Sequence, residues 1–217
     1  MFFSFMRGVV RVVLFIINGP FEIQNKEALP KDENYILVAP HRTWWDPLYM
    51  AVAARPKRFA VMAKEELFKN VFLRFILKNC NAFSVNRKNP GPSAIKTPVK
   101  ILKETDLSLI MFPSGTRHSK ALKGGMAMIA KMAKVRVVPC VYQGPVTLKG
   151  LFKREKVVIR FGEPIDLSDI KKLNAEGLQE VERRIQGSFD QLDFQVNPQF
   201  VYAIEEEVEV FQEDKKK

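Results

Sequence analysis

Tyr35-Ile36-Leu37-Val38-Ala39-Pro40-His41-Arg42-Thr43-Trp44-Trp45-Asp46-Pro47 carries the fold and the chemistry in one passage. Residues 35–39 form a short apolar, β-rich run that suits a buried strand. Pro40 ends it. Pro47 suits the first turn of a helix over 47–54, with Asp46 expected at the N-cap. His41 then sits at the carboxyl end of a strand and Asp46 at a helix start. The four residues between them can loop His41 back onto Asp46, a meeting that i, i+5 spacing on a straight helix does not favour. The chain has only two histidines. A histidine held by a carboxylate is a general base that works near neutral pH. Aspartate before proline is also an ordinary helix start, so the pair alone does not assign chemistry.

Outward from this segment the chain alternates. Strand-like runs fall at 35–39, 58–63, 80–86, 107–112, 135–142 and 156–161, and helix-like runs at 47–54, 65–79, 92–104, 124–134 and 175–194. Within 65–79, Leu67, Val71, Phe72, Phe75 and Ile76 recur at helical spacing. Such alternation predicts a single α/β layered domain, a largely parallel mixed sheet flanked by helices. At 217 residues the chain is long enough for one sizeable core. The expected divisions are a membrane-interface helix at 1–17, the main domain at 18–201 and an acidic C-terminal tail at 202–217, with a closing edge strand an option at 200–204.

The charge is uneven. The formal net charge is +11, yet residues 202–217 hold six acidic side chains and three lysines, leaving +14 on the body. A body this basic expects an anionic partner: nucleic acid, anionic lipid or an acidic protein. Cys80 and Cys140 form no CxxC pair and read as two buried, reduced thiols, and two scattered cysteines with two histidines argue against a zinc site.

Residues 1–17 are apolar apart from Ser4, Arg7 and Arg11. A spanning helix needs about 20 mostly apolar residues. Arg7 and Arg11 lie at i, i+4 with Phe, Val, Leu and Ile on the other faces, which predicts a helix in the membrane interface with both arginines reaching for headgroups. A core helix and a spanning helix are the alternatives. Asn18-Gly19-Pro20 offers no small-x-small cleavage site.

In a largely parallel sheet, ligands gather at the carboxyl ends of the strands. The polar singularities fall there. His41 follows the first strand, Asn86-Arg87 follows Phe83-Ser84-Val85, and Ser114-Gly115-Thr116-Arg117 follows an apolar run ending in Phe112-Pro113. Arg87 and Arg117 suit an anion such as phosphate, although each also reads as a surface charge. Gly115 permits close backbone approach to an anion and Thr116 adds a hydroxyl. Lys123-Gly124-Gly125 opens a helix whose N-terminus favours negative charge, or forms a plain turn. No serine or cysteine elbow, G-x-G-x-x-G or Walker A loop is present, so nucleotide hydrolysis and hydride transfer have no support.

Together the segments resemble the glycerolipid acyltransferases, and among them the bacterial branch acting on 1-acyl-glycerol-3-phosphate. His41 to Asp46 matches that family's H-x4-D motif, and Phe112-Pro113-Ser114-Gly115-Thr116-Arg117 its F-P-x-G-T-R loop. Phe83 to Arg87, Val137-Val138-Pro139, Lys64-Glu65-Glu66-Leu67 and Phe161-Gly162-Glu163-Pro164-Ile165 resemble further family features over residues 34–165. Two departures stand out. Ser114 replaces a common glutamate, so no acidic role carries over there and Arg117 is freer to pair with phosphate. Asn86 replaces an aspartate, a change the sequence does not explain.

The resemblance implies an O-acyltransferase of phospholipid biosynthesis. It passes an acyl chain from a carrier-protein or coenzyme A thioester to the 2-hydroxyl of 1-acyl-glycerol-3-phosphate, giving phosphatidic acid. His41 is the implied base and Asp46 its orienting partner, Arg87, Arg117, Thr116 and Lys123 the phosphate site, and Ser114 and Gly115 the oxyanion loop. No metal or cofactor is implied. The expected partners are lysophosphatidic acid, the acyl donor and membrane lipids, at the cytoplasmic face of the membrane, peripheral or monotopic. The rival readings are an acyltransferase for another lysophospholipid and a non-catalytic module that binds anionic lipid. Nucleic-acid binding explains the charge but finds no recognition fingerprint.

Overall fold

The computed structural model describes residues 2–86, 90–114 and 124–200. Among these residues seven strands form one sheet. In chain order they are β1 (Glu22–Gln24), β2 (Ile36–Val38), β3 (Arg58–Lys64), β4 (Ala82–Val85), β5 (Leu107–Met111), β6 (Val137–Gln143) and β7 (Val158–Phe161), and across the sheet they run β1-β7-β6-β2-β5-β3-β4. Every pairing is parallel except β6 with β7. The helices are α1 (Phe2–Asn18), α2 (Asp46–Ala53), α3 (Val71–Asn79), α4 (Ser93–Glu104), α5 (Gly125–Ala133), α6 (Leu148–Phe152) and α7 (Ala175–Val196). The expected α/β domain with a largely parallel mixed sheet is the one found.

Strand alternation sorts the core into two halves. Tyr35, Leu37 and Ala39 face one cluster with Trp45, just before α2, and Tyr49 and Met50 of α2, against which α1 packs. Ile36 and Val38 face the other with Met126 and Ile129 of α5, Val99 of α4 and Ile185 of α7. All three β2 residues are buried, as a central strand covered on both faces must be. At about 2 kcal/mol for each large aliphatic side chain, these two clusters are the main driving force for folding.

The connections place the site. β2 leads through α2, on one face, to β3, whereas its neighbour β5 leads towards α5, on the other face, and then β6. Adjacent strands whose connections part in this way leave a crevice at their carboxyl ends, where ligands bind in such sheets. His41 follows β2 and Phe112 follows β5.

Four local expectations need correction. Residues 65–79 are not one helix: Glu65–Phe68 is a 3-10 turn, and Asn70 starts α3 afresh by accepting the Leu73 amide at 3.0 Å. The strand expected from residue 80 begins at Ala82, because Cys80 caps α3 and Asn81 turns the chain at φ 60°, a left-handed conformation asparagine tolerates. Three short elements lay below the sequence signal: β1, α6 and the 3-10 turn Lys26–Ala28. Cys80 is half-buried, and only Cys140 is fully buried. The expected tail and most of the optional strand at 200–204 lie outside the described residues.

Candidate active site

Asp46 organises the crevice. It was expected at the N-cap of α2, but it is the first residue of that helix, with Trp45 at the cap and Pro47 next. Its carboxylate turns back over the preceding loop. Oδ2 accepts the backbone amides of Arg42 at 2.7 Å and Thr43 at 2.8 Å, while Oδ1 accepts the Thr43 hydroxyl. Asp46 is fully buried, so these bonds offset the loss of water. The positive end of α2 favours the same charge.

His41 completes the corner. Its Nδ1 lies 3.3 Å from Asp46 Oδ2. An ionised carboxylate only accepts, so Nδ1 carries the proton and Nε2 keeps the lone pair. The ring stacks on Phe112 with centroids 4.1 Å apart and planes at 23°, which bridges the ends of β2 and β5. Two constraints, one polar and one apolar, thus fix the imidazole. Its side chain keeps 14% exposure, enough to meet a substrate.

Beyond the imidazole opens an apolar cavity of about 320 Å³. Met62 and Val85 line it from the ends of β3 and β4, Met111 from β5, Ile95 from α4, and Met126 and Ile129 from α5. Three of these six, Met62, Met111 and Met126, are methionines, flexible side chains that adapt to an occupant's shape. An imidazole with a free Nε2 lone pair at the mouth of an apolar cavity can meet a polar group attached to a hydrocarbon chain.

Arg42 points away from its neighbour. Its guanidinium donates to the Tyr142 carbonyl at 2.5 Å and makes a two-pronged ion pair with Asp193 of α7. Gln143 donates to the same Asp193 carboxylate and to the Asp193 carbonyl, both at 2.9 Å, and the Phe200 ring lies 4.8 Å from the guanidinium carbon. The loop is therefore held twice, by Asp46 from α2 and by Asp193 from α7. The sequence reading missed this second hold. Arg42 was visible in the motif, but a partner 151 positions away carries no local signal.

Ser114 is buried at the end of β5. Gly115, Thr116, Arg117, Lys123 and Arg87 lie outside the described residues, as does His118. Their flanks are placed: Asn86 follows β4, and Gly124 caps α5. Among the described residues no group of three or more His, Cys, Asp or Glu side chains could hold a metal ion.

α1 meets the domain differently from expectation. Arg7 does not reach outward. It is buried and donates to the carbonyls of Lys57 at 2.5 Å and Pro56 at 3.3 Å, and burial beside Arg55 and Arg58 lowers its pKa. Asn18 donates to the Glu155 carbonyl at 2.9 Å and accepts from the Tyr49 hydroxyl at 3.2 Å. Arg7, Leu14 and Asn18 form the inner face, so Phe5, Val9, Val12 and Ile16 form an exposed stripe on the outer one. Arg11 is exposed. No helix among the described residues is long and apolar enough to cross a membrane.

Residues 20–143 match the family model described as Acyltransferase. The chain is 57% identical to the 1-acyl-sn-glycerol-3-phosphate acyltransferase of Streptococcus pneumoniae, over 89% of this chain and 74% of that protein. It is 38% identical to the Bacillus subtilis protein of the same name, over 88% of this chain and 100% of the other. The solved structure of the 1-acyl-sn-glycerophosphate acyltransferase from Thermotoga maritima shares the fold, with a TM-score of 0.68 and 21% identity over 90% of this chain and 80% of that one.

Proposed function

The chain belongs to the acyltransferase family, and from that premise we propose that it acylates the 2-hydroxyl of 1-acyl-sn-glycerol-3-phosphate to give phosphatidic acid. One observation carries the chemistry: His41 is held by a buried carboxylate at the mouth of an apolar cavity. The two bacterial relatives, similar over nearly the whole chain, carry the choice of acceptor.

His41 Nε2 takes the proton of the acceptor hydroxyl, and Asp46 stabilises the imidazolium that results. The oxygen attacks the carbonyl carbon of an acyl thioester, giving a tetrahedral oxyanion. Collapse breaks the carbon–sulfur bond, and the thiolate leaves with the proton that His41 holds. The enzyme forms no covalent bond with the acyl group. Carrier protein or coenzyme A supplies the thioester. The acyl chain lies in the cavity lined by Met62, Met111 and Met126. Backbone amides near Ser114 and Gly115 receive the oxyanion. Arg87 and Arg117, with Thr116 and Lys123, clamp the acceptor phosphate and so hold its hydroxyl against His41.

The substrate and product are lipids, which places the protein on a bilayer. The outer stripe of α1 supports this: it inserts among headgroups while Arg7 ties the helix to the domain. The soluble thioester donor puts the attachment on the cytoplasmic face.

Thiol release by the purified protein tests the reading. Carrier-protein and coenzyme A thioesters are each offered with 1-acyl-glycerol-3-phosphate or with monoacylglycerol. Release with the phosphate acceptor at ten or more times the rate with monoacylglycerol is expected. Equal release with both, or release that does not respond to either acceptor, refutes the choice of acceptor.

A further inference from the structure

α3 presents an apolar face that the described residues leave largely uncovered. None of its nine residues is buried, and Val71, Phe72 and Phe75 are 70%, 74% and 59% exposed. Their spacing puts them on one side of the helix, and exposed Leu67 precedes them in the 3-10 turn. Isolated exposed apolar residues are ordinary, but four from one short segment mark a contact surface.

Resting on the membrane reading of α1, we propose that α3 is a second lipid-inserting element, entering the headgroup layer beside α1. Three observations favour a bilayer over a protein partner. First, the Phe2 ring of α1 meets the Phe75 ring edge-on at 6.0 Å, so the two apolar surfaces are continuous. Second, exposed Lys64, Lys69, Arg74 and Lys78 border the α3 face, against exposed Glu65 and Glu66, so the rim carries a net positive charge suited to anionic headgroups. Third, the segment begins at the carboxyl end of β3, the edge that holds His41, and Met62 of β3 and Val85 of the adjoining β4 line the cavity. Insertion of α3 therefore brings the cavity rim to the layer where a lipid acceptor and its product reside.

The test uses the full chain and vesicles of phosphatidylcholine, alone or with phosphatidylglycerol. A variant carrying Val71→Ser, Phe72→Ser and Phe75→Ser, with α1 intact, should float at least tenfold less with mixed vesicles. A separate Phe72→Trp variant should lose fluorescence to brominated lipid beyond what the wild-type tryptophans lose, and this reading does not depend on the triple variant folding. Unchanged flotation together with an unquenched Phe72→Trp overturns the role of α3 while leaving the membrane reading of α1 standing. Wild-type protein that fails to float with either vesicle overturns the membrane reading and α3 with it. A wild-type dimer that the triple variant converts to monomer, with no quenching by lipid, assigns the face to a second copy and overturns the proposal.

Discussion

Asp46 is a carboxylate with no solvent exposure, and Phe72 is an aromatic ring with 74% of its surface exposed. Each departs from the usual partition of polar and apolar groups, in opposite directions. Inside the protein Asp46 is compensated by Arg42 N, Thr43 N, Thr43 Oγ1 and His41 Nδ1. Among the described residues the Phe72 side has no comparable cover, and neither has the outer stripe of α1. The difference shows where each region finds its balance. The corner of His41 and Asp46 is satisfied within the protein, whereas on the proposed membrane reading the α1 and α3 surface is balanced by a lipid phase outside the chain.

The strongest way to break this comparison is at the corner. His41→Ala should lower turnover on the order of a thousandfold, within the usual range for a general base, with vesicle binding intact. His118→Ala is the control and should stay near the parent rate. If the His118 variant is the dead one, the base is misassigned. Asp46→Asn should cost roughly a hundredfold in kcat, because the amide disturbs the tautomer of His41. Its buried network should also lose about 1–3 kcal/mol, read in denaturant unfolding.

Arg42→Ala probes the second hold on the loop. Removing one partner of a largely buried pair should destabilise the fold by about 2–3 kcal/mol, less than for a fully buried pair because the Asp193 side chain keeps 19% exposure. Turnover should fall about tenfold. Combined with Asp193→Ala, the loss should be less than additive. An additive double variant would show that the pair does not act as one unit.

On the lipid side the effect should depend on how the substrate is presented. Phe5→Ser, Val12→Ser and Ile16→Ser together should lower turnover roughly fivefold to tenfold on vesicles, in line with the apolar area withdrawn from lipid. In detergent micelles the change should stay within about twofold on the same reasoning. Equal losses in both media would place α1 in the fold's stability instead. The smallest expected effect is that of thiol alkylation at neutral pH. Burial pushes both cysteine thiols up in pKa, Cys140 furthest, which lowers their thiolate fraction. Iodoacetamide should leave turnover essentially unchanged.

Much of the fold was legible because it is written in local periodicity. Six strand-like runs and four of the five helix-like runs became elements within a few residues of the expected bounds, the run at 65–79 split into a 3-10 turn and α3, and among the described residues only β1, α6 and the 3-10 turn Lys26–Ala28 escaped, each of five residues or fewer. The pairing of His41 with Asp46 was legible because it closes over four residues. Spacing could not show which face of α1 meets the protein. Arg7 and Arg11 suggested a charged face turned to headgroups, yet Arg7 found two backbone carbonyls at the start of β3. Periodicity reports that a helix has two faces, and the tertiary partner decides which one is covered. The same limit hid Asp193. The expected phosphate site at Arg87 and Arg117 lies outside the described residues.

On this reading chemistry and lipid attachment reside in separate regions. This separation is tested most directly by measuring phosphatidic acid formation on vesicles and in micelles for His41→Ala and for the triple α1 variant, with flotation of each. A crossed result is expected. The His41 variant floats like the parent and makes product about a thousandfold more slowly in both media, while the α1 variant floats poorly and makes product at nearly the parent rate in micelles. Losses that move together, with the His41 variant failing to float or the α1 variant inactive in micelles despite an intact fold, would contradict it.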